Sequence, residues 1–324
     1  MLEMVENNIK IYWSDSVVND IRPCKSTVLA LGTFDGVHVA HKKLLEEAVN
    51  LKKSLGAEYA GAWCFSQSPA SILRGIDIPA LTTLEQKIKL MLDCGIDFVA
   101  VGDFQDFCNI SADDFINKVL AHHLNCVGAV CGFDHRFGYK GIGNASLLKE
   151  RLGNDNVIEV SEIKIHGETV SSTAIREKIA SGQIADANEM LGRCFELQSP
   201  VVHGKKLGRE MQFPTANQFF PQDLIVPKHG IYATLCTLED GRRLIGVSNV
   251  GIRPTISDDK DSHIANCETY ICYFSDDIYG QALYVSFCAY LREEKRFSSI
   301  DELSEAISKD KDNAIAYFKS YNID

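Results

Sequence analysis

Missing from this sequence is any surplus of positive charge: its 324 residues carry a formal net charge of −11. Non-specific nucleic-acid binding needs a basic surface, so no nucleic-acid partner is expected. A small anionic substrate held by a few local cations remains open. The eleven cysteines include no C-x-x-C pair, and no Cys/His cluster has the spacing of zinc ligands. No secretory signal precedes them. A disulfide framework is therefore not expected, a reducing cytoplasmic compartment is, and most of the thiols read as small core hydrophobes. No apolar run approaches the roughly 20 residues of a membrane span, so no membrane partner is expected. Fixed-period repeats and low-complexity tracts are lacking too.

What remains is an ordinary globular composition, 45% hydrophobic and 24% charged, in a chain whose length favours two domains. Each half is long enough for its own core, and the boundary is expected between residues 184 and 185. In the first half, strand-like runs at 27–31, 59–65, 97–102, 127–133 and 157–160 alternate with helical patterns at 42–53, 83–94, 111–124 and 145–152. Thr83 with Gln86 predicts a capping box, Gly95 a helix stop and Ser111 an N-cap. Such alternation predicts a doubly wound α/β domain, a parallel, Rossmann-like sheet covered on both faces, with ligands at the carboxyl ends of its strands. Two helical stretches, 173–180 and 184–191, read as a hinge. Beyond them the strand-like runs 195–202, 230–238, 243–250, 268–274 and 282–291 follow without intervening helices, which predicts an antiparallel barrel or sandwich. Asp240-Gly241 is a hairpin signal. A closing helix is expected over 300–318, with Ser299 and Glu302 as a capping box.

The first candidate site is the stretch 32–41, Gly-Thr-Phe-Asp-Gly-Val-His-Val-Ala-His. Gly32 and Gly36 permit a tight turn between a strand and a helix N-terminus, a natural phosphate cradle. His38 and His41, three apart, share a helical face. A lone histidine at a helix start is ordinarily a cap or a surface residue. This stretch, however, resembles the H-x-G-H signature of nucleotidyltransferases, and its longer form G-x-F-D-G-V-H resembles that of the prokaryotic FAD synthetases, the bifunctional riboflavin kinase/FMN adenylyltransferases. Gly132-Phe133-Asp134-His135-Arg136-Phe137-Gly138 is similar to the family block G-x-D-F-R-F-G, and Ser171-Ser172-Thr173-Ala174-Ile175-Arg176 to S-S-T-x-I-R. The resemblance implies phosphate contacts from His38, His41 and Arg176. It also implies ATP binding by Gly32, Phe34, Asp35, Ser172 and Thr173, and flavin binding by Asp134, Arg136 and Phe137. Departures occur at Ala40, where the family has glycine, at His135, where it has an aromatic, and at Gly143-Asn144, where Gly-Asp is usual. In 65–69, Phe-Ser-Gln-Ser-Pro stands for F-D-P-H-P.

In the second half, Gly204, Lys205, Lys206, Leu207, Gly208 and Arg209 followed by Phe213-Pro214-Thr215-Ala216-Asn217 resemble the riboflavin kinase motif G-x-x-x-G-R…G-F-P-T-A-N, with Gln212 replacing the last glycine. The resemblance implies that Thr215 and Asn217 hold Mg²⁺ and ATP phosphates. Gly204, Lys205, Gly208 and Arg209 would line the ATP loop, and Glu268 would be the general base. Asn249 and Arg253, in a segment similar to N-V-G-x-R-P-T, and Arg292 would contact the flavin. A single glutamate at a strand start is ordinarily a solvated charge; the ordered set of motifs carries the reading. The family resemblance implies an antiparallel β-barrel riboflavin kinase domain with a C-terminal helix. It also implies riboflavin, FMN, FAD and ATP as substrates and products, with ATP as co-substrate and Mg²⁺ as cofactor. Two alternatives stand beside it: a riboflavin kinase with an altered adenylyltransferase half, and a non-catalytic flavin-binding protein. Oligomeric state is not legible.

Overall fold

A computed structural model describes residues 9–14, 22–203, 213–254 and 263–320. It divides into two compact units, Met1–Ser172 and Thr173–Asp324. The expected boundary at 184/185 lies in the second unit, just after the first residue of α5 below.

In the first unit the sheet runs β1 (Ile9–Trp13), β4 (Phe98–Gly102), β3 (Tyr59–Phe65), β2 (Thr27–Leu31), β5 (Cys126–Gly132), β6 (Val157–Val160). All pairs are parallel except β1 with β4; after β6 comes a small antiparallel pair, β7 (Lys164–Ile165) with β8 (Glu168–Thr169). The antiparallel edge strand β1 was not foreseen. Both faces of β2 are apolar because both are covered. Leu29 and Leu31 pack with Trp63, Phe98 and Phe115 on one side, while Val28 and Ala30 meet Leu45, Ala48 and Met91 on the other. The second side is covered by α1 (Val39–Leu55), whose Leu44, Leu45, Ala48 and Leu51 are buried, and by α2 (Leu84–Leu92), opened by the Thr83–Gln86 capping box. The helix expected over 111–124 starts under the Ser111 cap but widens into a π-helix over Phe115–His123. Helix α3 (Ala145–Leu152) is capped by Asn144.

Strand order reverses beside β2, with β3 on one flank and β5 on the other. The loops leaving β2 and β5 at their carboxyl ends therefore frame a topological switch point. Residues 32–38 leave β2 there, and the block beginning at Gly132 leaves β5. Leu31 pairs with Cys131, so the two motifs start side by side.

In the second unit, α4 (Ser172–Ser181, its first residue in the first unit) and α5 (Ile184–Leu191) precede an antiparallel sheet. Its order is β10 (Thr215–Phe219), β13 (His263–Ile271), β12 (Arg243–Pro254), β11 (Gly230–Thr237), β14 (Ala282–Arg292), β9 (Phe195–Pro200). The Asp240-Gly241 turn joins β11 to β12, with Thr237 opposite Arg243. A bridge between Val202 and Asn217 brings the two ends of the sheet together. Gln218, fully buried, stitches the same seam by donating to Ser199 O at 2.7 Å and Leu283 O at 2.8 Å. Inside lie Tyr232 and a hydroxyl chain of Thr234, Ser248 and Thr269. The outer face of β11 and β12 is covered by α6 (Ile300–Ser320) through Ala314 and Phe318. Its expected capping box is half formed. Ser299 Oγ accepts from Glu302 N, but the Glu302 carboxylate turns to Ser298. Seven of the eleven cysteines are buried, in keeping with their reading as core hydrophobes.

Candidate active sites

The turn after β2 holds three left-handed residues, two of them not glycine. Phe34 (φ 52°), Gly36 (φ 79°) and Val37 (φ 40°) are all left-handed. For Phe34 and Val37 each exception costs on the order of 1–3 kcal/mol and persists only where surroundings impose it. They do so here. Phe34 and Val37 are fully buried. Asp35 Oδ1 accepts from Leu81 N at 2.9 Å, Ser172 Oγ donates to Asp35 O at 3.0 Å, and Gly36 N donates to Thr82 Oγ1 at 3.4 Å. Phe34 and Asp35, expected to bind ATP, thus hold the turn itself. Gly32 is needed for space, because a Cβ there would come to 3.2 Å from the Phe34 ring.

His38 is the N-cap of α1, its Nδ1 accepting from His41 N at 3.3 Å. That bond leaves the proton of the neutral ring on Nε2. The two imidazoles stack at 3.6 Å with 13° between planes. Burial, then His38, then Lys87 push His41 well below the usual histidine range, and its buried Nδ1 has no hydrogen-bond partner. Ala40 lies in the first turn of α1 and is not among the left-handed residues. A Cβ is therefore tolerated where the family has glycine.

Lys87 escaped the sequence reading. It is 7% exposed, and its Nζ donates to Phe65 O at 2.7 Å and Thr33 O at 3.5 Å. The signal was present: Lys87 falls four residues before Met91, on the buried face of the 84–92 pattern, where an apolar residue is expected. After β5, Asp134 and Arg136 are exposed, and Phe137 is buried against Phe115 at 5.4 Å. Between them His135 stacks on Phe137 with its Nε2 buried and unpartnered, and burial takes it down to about 4. In the 65–69 segment, Pro69 opens a short helix, Pro69–Arg74. Ser172 opens α4 in the first unit, whereas Thr173 and Arg176 belong to the second.

In the second unit, register assembles the site. Asn217 on β10 pairs with Glu268 on β13, which pairs with Asn249 on β12. Directly opposed residues share a sheet face, so these three side chains form one row. Thr215, two residues from Asn217, lies on the same face. Asn217 Nδ2 donates to Thr215 O at 3.3 Å, and Asn266 Nδ2 to Glu268 Oε1 at 3.2 Å. Asn249 Oδ1 is buried without a partner. Asn266 was not foreseen; its place two residues before Glu268 was the available clue. Arg292 lies opposite Ile231, which in turn is opposite Asn249. Its guanidinium is engaged bidentately by Asp310 on α6, at 2.9 and 2.6 Å. Arg253 pairs with Ile264 through the backbone of β12 and β13. Gly204, Lys205, Gly208 and Arg209 lie outside the described residues.

Among the described residues no cluster of three His, Cys, Asp or Glu side chains could hold a metal. Thr215 and Asn217 instead offer oxygen atoms suited to a hard cation that keeps water and phosphate ligands.

A family model described as FAD synthetase matches residues 21–174, and one described as riboflavin kinase matches residues 191–318. A Listeria monocytogenes protein named bifunctional riboflavin kinase/FMN adenylyltransferase is 32% identical over 313 residues, covering 95% of this chain and 98% of its own. One of the same name from Haemophilus influenzae is 34% identical over 310 residues, covering 93% and 97%. A Streptococcus pneumoniae crystal structure described as a macrolide-efflux protein shares the architecture at a TM-score of 0.82 and 26% identity. It covers 90% of this chain and 95% of that one. Among the described residues of this chain, no helix is long and apolar enough to cross a membrane.

Proposed function

The chain belongs to the bifunctional riboflavin kinase/FMN adenylyltransferase family, and from that premise we propose that it makes FAD from riboflavin in two ATP-dependent steps. The observation that carries the reading is the row Asn217, Glu268, Asn249, three polar side chains set across adjacent strands. In the first step Glu268 accepts the proton of the ribityl 5′-hydroxyl as that oxygen attacks the γ-phosphorus of ATP and ADP leaves. Thr215 and Asn217 would hold Mg²⁺, which when bound offsets phosphate charge. Asn249, with its unpartnered buried oxygen, orients the flavin. Arg253 is assigned to the flavin as well. Arg292 is assigned to the flavin too, with Nε and Nη2 held by Asp310 on α6 and Nη1 donating to Glu293 O at 2.9 Å. Gly204, Lys205, Gly208 and Arg209 are assigned to the ATP loop.

In the second step an FMN phosphate oxygen attacks the α-phosphorus of a second ATP and pyrophosphate leaves. No covalent enzyme intermediate is required, so the site's task is positioning and charge stabilisation. His38 directs Nε2–H to a phosphate oxygen, His41 supports it by stacking, and Arg176 clamps the leaving phosphates through its planar fork. Gly32, Phe34 and Asp35 shape the turn on which ATP lies, with Ser172 and Thr173 at the start of α4. Asp134, Arg136 and Phe137 border the flavin. The adenylyltransferase domain is assigned to residues 1–184, the kinase domain to 185–324, and the compartment to the cytoplasm.

Chromatography of the products from riboflavin and Mg-ATP tests the reading, with FMN and FAD both expected. Absence of FMN would overturn the kinase assignment. The altered 65–69 segment supports a second reading, a riboflavin kinase alone, for which the same chromatogram shows FMN without FAD.

A further inference from the structure

Lys87 is a buried cation without a counter-ion. Both of its acceptors are neutral carbonyls, Phe65 O at 2.7 Å and Thr33 O at 3.5 Å, and among the described residues no carboxylate pairs with it. Removing an ammonium from water is expensive, and carbonyls alone repay little of it, so an apolar residue would serve a purely structural role better. The location is specific. Phe65 ends β3, and Thr33 lies two residues past the end of β2, its parallel neighbour. One ammonium therefore clamps two carboxyl ends where such a sheet presents its ligand.

The groups around His41 complete the pattern. From its own helix it faces His38, stacked at 3.6 Å. From α2 it feels the charge of Lys87. From the turn it meets the Phe34 ring at 5.1 Å. Asp35, the acid of that turn, has Oδ1 engaged by Leu81 N. The pocket thus sets one fixed cation beside two neutral imidazoles, and a bound phosphate chain is the anion that would balance that charge.

We propose that Lys87 is a positioning residue for adenylyl transfer, holding the ends of β2 and β3 and the histidine pair ready for the phosphates of ATP. It acts through His41 and Thr33, and it rests on the adenylyltransferase reading above. Burial, then His38, then the Lys87 charge hold His41 low, so removing that charge lets the imidazole titrate higher.

The test compares Lys87→Met and Lys87→Arg in the full chain. FAD formation from FMN and Mg-ATP, riboflavin phosphorylation and the His41 ring titration by NMR are all measured. Lys87→Met is expected to lower kcat for FAD formation about tenfold or more and leave riboflavin phosphorylation unchanged. The His41 midpoint should rise toward the ordinary 6.5. Lys87→Arg, which keeps the charge, should hold the midpoint low and recover most of the rate. An unmoved His41 midpoint in Lys87→Met, or Lys87→Arg as slow as Lys87→Met, overturns the proposal. If Lys87→Met does not fold, Lys87→Arg decides: a low midpoint with near-normal rate supports the proposal, and a slow enzyme refutes it. Failure of the unmodified chain to make FAD would strike the functional reading instead, and the His41 titration would still stand as a test of Lys87.

Discussion

The turn between β2 and α1 holds its functional atoms through segments far apart in the chain, whereas the row on β10, β13 and β12 holds its own through strand register. In the first, Asp35 is fixed by Leu81 and Ser172, Gly36 by Thr82, and the strand ends by Lys87. Left-handed backbone at Phe34 and Val37 is the cost of that arrangement. In the second, Asn217, Glu268 and Asn249 meet because antiparallel pairing puts opposed residues on one face. A turn held from a distance tolerates few changes in its supports but can shield its histidines from water. A row held by register keeps its geometry with little strain and leaves Glu268 half-buried.

The comparison breaks most sharply at Glu268. Glu268→Ala should reduce FMN formation by about 10³-fold, the scale of a lost general base, while FAD formation from added FMN continues. Loss of both activities with the fold intact would refute the division of labour. The reciprocal variants His38→Ala and Arg176→Ala should slow FAD formation by about 10²-fold and spare riboflavin phosphorylation. His38→Ala also removes the cap of α1, at about 1 kcal/mol, readable as a lower unfolding midpoint.

Next in size is Arg292→Ala, which strands the buried Asp310 carboxylate. Breaking a fully buried pair costs roughly 3–5 kcal/mol. Because the Arg292 side chain is 27% exposed, about 2 kcal/mol is expected, measured as earlier urea unfolding followed by loss of riboflavin phosphorylation.

A pH effect distinguishes the halves. Unfolded, His135 takes up a proton near 6.5; folded, only near about 4. Below 6.5 the unfolded state binds more protons, so this contribution is complete above that pH and is lost as pH falls toward 4. His41 acts in the same direction. The first half should lose roughly 3 kcal/mol over this window from His135, and His135→Phe should flatten much of the slope in pH-resolved thermal melts. Ala40→Gly is the smallest test: about 0.5 kcal/mol of helix stability with FAD formation unchanged. A gain in rate would mean that the family's glycine serves more than backbone freedom.

Much of the framework was legible. Strands 27–31 and 59–65, the Thr83 capping box and the Asp240-Gly241 hairpin lie where expected, because periodicity and turn chemistry are local. Three features were not. Strand β1 joins β4 across some eighty intervening residues and has no local signal of its partner. The π-helix over Phe115–His123 follows a periodicity that reads as α. The role of Lys87, though its place on a buried helical face was a clue, shows only when two strand ends supply its acceptors. Among candidate site residues, His38, His41, Asn217 and Glu268 were singled out by motif. That Phe34 and Asp35 hold the turn, and that Arg292 is committed to Asp310, became visible only with their partners in place.

Sequence alone determined the two architectures and the order of the motifs, since these follow from residue type, spacing and alternation along the chain, while the chemistry expected of each half came from the resemblance of those motifs to a family. Tertiary structure decided which polar groups meet. Register set Glu268 between Asn217 and Asn249, and packing placed Lys87 at the ends of β2 and β3, where its charge adds to the burial that lowers His41. The physical reason is range. Turns, caps and periodicity act over a few residues, whereas burial and electrostatics depend on neighbours that only folding supplies.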